Sequence, residues 1–112
     1  MTPTSRTLAE LRKRKIRAQV VEHWNAFARR RIDLFQVIDV VAVGASGIHG
    51  IQCCAGASHA ARRTKALVSP ALRDWLGAGG QFWIWSWSKR GARGKRKVWT
   101  LREERITTEM LP

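Results

Sequence analysis

The spacing of hydrophobic positions along the chain changes period several times, and each change marks an element. Leu8 and Leu11 share one face of TSRTLAELRKRK, Thr4 or Ser5 can cap it, and basic residues crowd its last turn, so the chain opens with a short amphipathic helix running to about Lys15. AQVVEHW, residues 18 to 24, is rich in β-branched and aromatic types and predicts a first strand. After a loop holding Arg29, Arg30 and Arg31, DLFQVIDVVAV (33 to 43) is apolar on both alternating faces, the pattern of a central strand covered on both sides. GASG (44 to 47) predicts a turn, and IHGIQCC after it a third strand. Ser58 opens a helix through SHAARRTKALV, and Pro70 suits the first turn of a second short helix ending at Gly77 to Gly80. QFWIWSW (81 to 87) is a strand with Trp83, Trp85 and Trp87 on one face. The basic, glycine-bearing KRGARGKRK (89 to 97) leads to a last strand, VWTLREERI, antiparallel to the one before it. The predicted order is αβββααββ: a single α/β domain over residues 1–112, with a mixed sheet of about five strands flanked by helices.

The turn at 44 to 47 fixes a register. If it is centred between Ala45 and Ser46, paired residue numbers sum to 91, and Asp39 falls directly opposite Gln52 with Cys54 two residues on, on the same face. A carboxylate is costly to bury unpaired, so Asp39 needs a cation, a metal or water beside it; a neighbouring Arg is the ordinary structural answer. Asp33 is expected to be a poor co-ligand, because six extended residues span about 20 Å. Glu22 is the better candidate, although the register of the first strand leaves its face open.

Charge widens the picture beyond this pair. Lys and Arg number 21 against 8 Asp and Glu, a formal charge of +13, which points to a polyanionic partner and above all to nucleic acid. Arg29, Arg30, Arg31, Arg62, Arg63 and the loop cations Lys89, Arg90, Arg93, Lys95, Arg96 and Lys97 are the candidate phosphate contacts. Cys53 and Cys54 are adjacent and have no third partner, which argues against a structural disulfide and for a reducing, cytoplasmic setting. No apolar stretch approaches the length of a membrane span or a signal peptide core.

Asp39 followed by Val40-Val41-Ala42-Val43, a Gly turn, Ile48-His49-Gly50-Ile51 and then Gln52-Cys53-Cys54 resembles the core of the PD-(D/E)XK nuclease superfamily, most of all its archaeal Holliday junction resolvase branch. The likeness extends over roughly residues 5 to 88 and is specific in this hairpin. It implies a restriction-endonuclease-like fold and a DNA endonuclease that uses Mg2+ or Mn2+, acting on branched DNA as a homodimer. Asp39 matches the first acid, Gln52 stands where the second acid would be, and Cys54 stands where the Lys would be. Asp39 and Gln52 are thus the implied metal ligands, Lys65 on the following helix is the choice for a relocated Lys, and Glu22 for the missing carboxylate. The branch also carries a Glu in its first helix; here the region near Ser5 has none, and Glu10 lies about a turn further on. The Trp stripe is core, or the dimer surface that the resemblance implies. The competing readings are a nuclease fold that binds without cutting and a basic RNA-binding protein.

Overall fold

The computed structural model describes residues 1–112. Helix α1 (Pro3–Lys13) is capped by Thr2: its hydroxyl accepts from the Ser5 N–H at 3.1 Å, and Ser5 Oγ accepts from the Thr2 N–H at 2.9 Å. This capping box, with Pro3 at the first helical position, sets the helix start ahead of the expected Thr4 or Ser5. The remaining elements are β1 (Arg17–Val20), β2 (His23–Asn25), β3 (Arg30–Ile32), β4 (Val40–Gly44), β5 (Gly47–Ala55), α2 (His59–Leu67), α3 (Pro70–Gly77), β6 (Gln81–Arg90) and β7 (Val98–Ile106). Strands β1-β4-β5-β6-β7 form one sheet in that order. Neighbours run antiparallel except β5 and β6, whose parallel pairing is made possible by the crossover through α2 and α3.

Two expectations about strands are corrected. The run 18 to 24 is not one strand: β1 ends at Val20, and β2 pairs with β3 in a separate hairpin, so the order αβββααββ gains two short strands. Residues 33 to 43 are not one strand either. Leu34 and Ile38 exchange hydrogen bonds at 2.9 and 3.0 Å across a tight reversal in which Phe35 and Gln36 are both left-handed, at φ 53 and 65. Only Val40–Gly44 remains as strand.

Helix α1 covers one face of the sheet, where Leu11 packs with Val40, Ala42, Ile51, Cys53 and Trp85. Helices α2 and α3 cover the other, where Ala66 and Leu72 pack with Ile38, Cys54, Phe82, Ile84 and Ile106. Trp83, Trp85 and Trp87 belong to the α1 side: Trp85 and Trp87 are buried, and Trp87 Nε1 donates to Thr7 Oγ1 at 3.0 Å. That burial places Trp85 and Trp87 in the core, while Trp83 is half-buried beside them. A second polar tie crosses the opposite layer: buried His59 bridges Ser86 Oγ at 2.7 Å and Glu104 Oε1 at 2.8 Å, and Arg63 Nε donates to Glu104 Oε2 at 2.9 Å. Hydrogen bonds from His59 and Arg63 outweigh the effect of burial and hold the Glu104 carboxyl below its ordinary value. No helix is long and apolar enough to cross a membrane.

Candidate metal centre and its cleft

Asp39 is fixed by its backbone before its side chain is considered. Its N–H donates to the Ile51 carbonyl at 2.9 Å, and its own carbonyl accepts from the Val21 N–H at 2.8 Å. The residue therefore bridges the end of β1 and the middle of β5. Val40 pairs with Ile51, so the register sums to 91 and one step outward sets Asp39 opposite Gln52, as the turn predicts. The Val21 bond likewise brings the next residue, Glu22, alongside.

Asp33 arrives by the reversal at Phe35 and Gln36. The Leu34–Ile38 bridge, carried one step outward, sets Asp33 against Asp39. The expectation that Asp33 is too distant is thereby overturned: it assumed extended chain where the chain folds back. Carboxylate oxygens of Glu22, Asp33 and Asp39 lie within 4.8 Å of one another.

Asp39 is only 4% exposed. Its Oδ2 accepts from Gln52 Nε2 at 2.7 Å and from the Cys53 N–H at 2.8 Å, while Gln52 Nε2 also reaches Asp33 Oδ2 at 3.3 Å. Gln52 thus presents a donor to the two acids, and the oxygens that meet Asp39 come from Asp33 and Glu22. Burial pushes the Asp39 carboxyl up to about 8; sharing a proton with Asp33 and the charges of Asp33 and Glu22 add to this, against the Cys53 N–H, which favours the anion.

Cations surround this cluster without neutralising it. Arg62 and Lys65, three residues apart on one face of α2, line a cleft of about 350 Å³ together with the acids, and Arg30 and Arg31 line it from the hairpin. Yet the ion pairs of the molecule lie elsewhere, from Arg14 to Glu10 and Glu103 and from His59 and Arg63 to Glu104. The paired-acid reading of Asp39 is therefore not what the structure holds. Three facing carboxylates with no ion pair, beside 21 basic residues, form a set of hard oxygen donors that fits a divalent cation.

The other candidates separate by location. Thr4, in the first turn of α1, lines the cleft, whereas Glu10 is turned away to Arg14 at 2.9 Å. Cys54 does not join the polar cluster expected from alternation, because it packs among Val37, Ile38 and Ala66. Cys53 takes a place on the cleft wall instead, its N–H donating to Asp39; burial pushes its thiol up to about 12, which makes it inert. Arg63, next to Arg62 on α2, donates through Nε to Glu104 at 2.9 Å. Arg29 sits at the tip of the β2–β3 hairpin, Lys89 and Arg90 end β6, and Arg93, Lys95, Arg96 and Lys97 lie in the exposed loop before β7.

No family model, no curated protein and no solved structure matches this chain.

Proposed function

We propose that this chain is a metal-dependent DNA endonuclease of the PD-(D/E)XK kind, with Mg2+ or Mn2+ as cofactor and branched DNA as substrate. The observation that carries the reading is the carboxylate trio of Glu22, Asp33 and Asp39, free of ion pairs and faced by the cations Lys65 and Arg62 across an open cleft. An antiparallel hairpin bearing the first acid, followed by a helical crossover into a parallel strand, is also the layout expected of a restriction-endonuclease-like core.

Glu22, Asp33 and Asp39 would hold the ion, which supplies charge neutralisation at the phosphate and a lower pKa for water. Gln52 fixes the orientation of Asp39 by donating to it at 2.7 Å. Lys65 stands in for the Lys that Cys54 cannot provide: its ammonium and the Arg62 guanidinium face the non-bridging oxygens of a phosphate seated over the acids. Water oxygen bonds to phosphorus, the phosphorus bond to the departing sugar oxygen breaks, and that oxygen leaves as a hydroxyl, its proton coming from solvent. The water's own proton passes to a carboxylate of the trio.

A nicking assay on junction, flap and duplex DNA with Mg2+ or Mn2+ tests this. Wild type should cut, while Asp39→Ala should lose at least about 100-fold and Lys65→Ala about as much. Wild type that binds DNA and never cuts, indistinguishable from Asp39→Ala, would leave a binding module; a metal-indifferent preference for RNA would leave an RNA-binding protein.

A further inference from the structure

The β2–β3 hairpin is the part of the molecule that the core does not account for. It pairs with no other strand, and a hairpin this short gains little stability by itself. Its large side chains face solvent: Phe27 is wholly exposed and Trp24 is 60% exposed. The tip is nevertheless ordered by its own chemistry. Asn25 Oδ1 accepts from the Ala28 N–H at 2.9 Å, and Arg29 takes a left-handed φ of 52 to close the turn, which leaves Phe27 projecting.

Three arginines in succession, Arg29, Arg30 and Arg31, follow the aromatic tip, and Trp24 is directly opposite Arg31, on the same face. Bare aromatic rings interleaved with guanidinium groups fit a nucleic acid, whose bases stack on the rings while its phosphates meet the cations. Intact duplex hides its base faces inside the stack. A base is available to Phe27 only where the stack is interrupted, at a fork, a flap or a junction.

The root of the hairpin ties it to the cleft. Glu22 immediately precedes β2 and Asp33 immediately follows β3, so two of the three clustered carboxylates are its two feet.

We propose that this hairpin is a stacking prong for branched DNA: Phe27, backed by Trp24, stacks on the exposed base at the branch, and Arg29 to Arg31 guide the strand back to the cleft. The proposal rests on the reading of the cleft as a DNA site and adds what selects the substrate, an unpaired base at a branch.

The test separates binding from cutting. Forked DNA with 2-aminopurine as the first unpaired base is titrated with protein in EDTA, beside plain duplex and an RNA fork of the same sequence. Wild type should quench the probe and prefer the DNA fork. Phe27→Ala should abolish the quench and weaken fork binding about tenfold or more while changing duplex binding less than about twofold, and Phe27→Trp should restore both. Because Phe27 buries nothing, the variants should melt with wild type. A quench that survives Phe27→Ala, equal loss on fork and duplex, or tighter binding to the RNA fork each overturns the proposal. With Mg2+ added, failure to cut despite a Phe27-dependent quench would sink the nuclease reading and leave the prong standing.

Discussion

Asp39 accepts hydrogen bonds from Gln52 and from the Cys53 N–H and has no cation; burial and the facing carboxylates of Asp33 and Glu22 outweigh the Cys53 bond and favour keeping a proton. The sign of its effect on stability follows. Its folded value is raised from 3.8 to about 8, so the native protein binds a proton that the unfolded chain has already released. The stabilisation is complete below about pH 4 and disappears as pH climbs through 8. Asp39→Asn, which keeps a neutral group in place, should flatten this decline: its melting temperature should vary less than that of wild type between pH 4 and pH 8, and parallel profiles would refute the assignment. At pH 8, saturating Mg2+ should raise the melting temperature of wild type and not of Asp39→Asn; an ion at 100 times its dissociation constant is worth about 2.7 kcal/mol.

At the scale of elements, the reversal from Leu34 to Ile38 is the expensive piece. Two successive left-handed residues that are neither Gly nor Asn cost about 1–2 kcal/mol each. Replacing Phe35 and Gln36 together with Asn and Gly should therefore stabilise the fold by roughly 2 kcal/mol in denaturant titration; a loss of stability would mean that the half-exposed Phe35 contributes more than its backbone strain takes away. The same reversal marks where sequence reading stops. The pairing of Asp39 with Gln52 is legible because the Gly-bearing turn and the apolar run on either side leave one register. Leu34-Phe35-Gln36-Val37 contains no turn residue, and what bends it is tertiary: Val37 and Ile38 are drawn to 2% and 0% exposure in the core while Leu34 packs beside them. Asp33 could not be brought to the site without that knowledge. The shared face of Trp83, Trp85 and Trp87 was equally readable from its period of two, but not that α1 lies on it, since periodicity fixes a face and never its occupant. Lys65 is singled out by the resemblance, which lets the Lys stand on the following helix, and it lines the cleft beside the acids.

Over the whole molecule, charge is distributed rather than focused. The exposed loop from β6 to β7 carries Arg93, Lys95, Arg96 and Lys97, and Arg6 stacks 3.7 Å from the Trp99 ring at the neighbouring end of β7, two residues along α1 from the cleft-lining Thr4. On the proposed reading, this loop would offer phosphate contacts that read no structure. Neutralising its four cations should weaken binding to fork and duplex alike and lower the slope of log affinity against log salt by up to about 3 to 4; an unchanged slope would place the loop off the DNA. The prong and the cleft answer to a different rule. Glu22 and Asp33 bracket ten residues, and a divalent ion gripping both is a reversible cross-link that closes the loop they begin and end. Whatever steadies the tip then tightens the ion, and the ion tightens the tip by the same factor, because linkage between two bound partners is reciprocal. On the proposed reading, withdrawing the ion costs more than cleavage: the hairpin's hold on a fork slackens too.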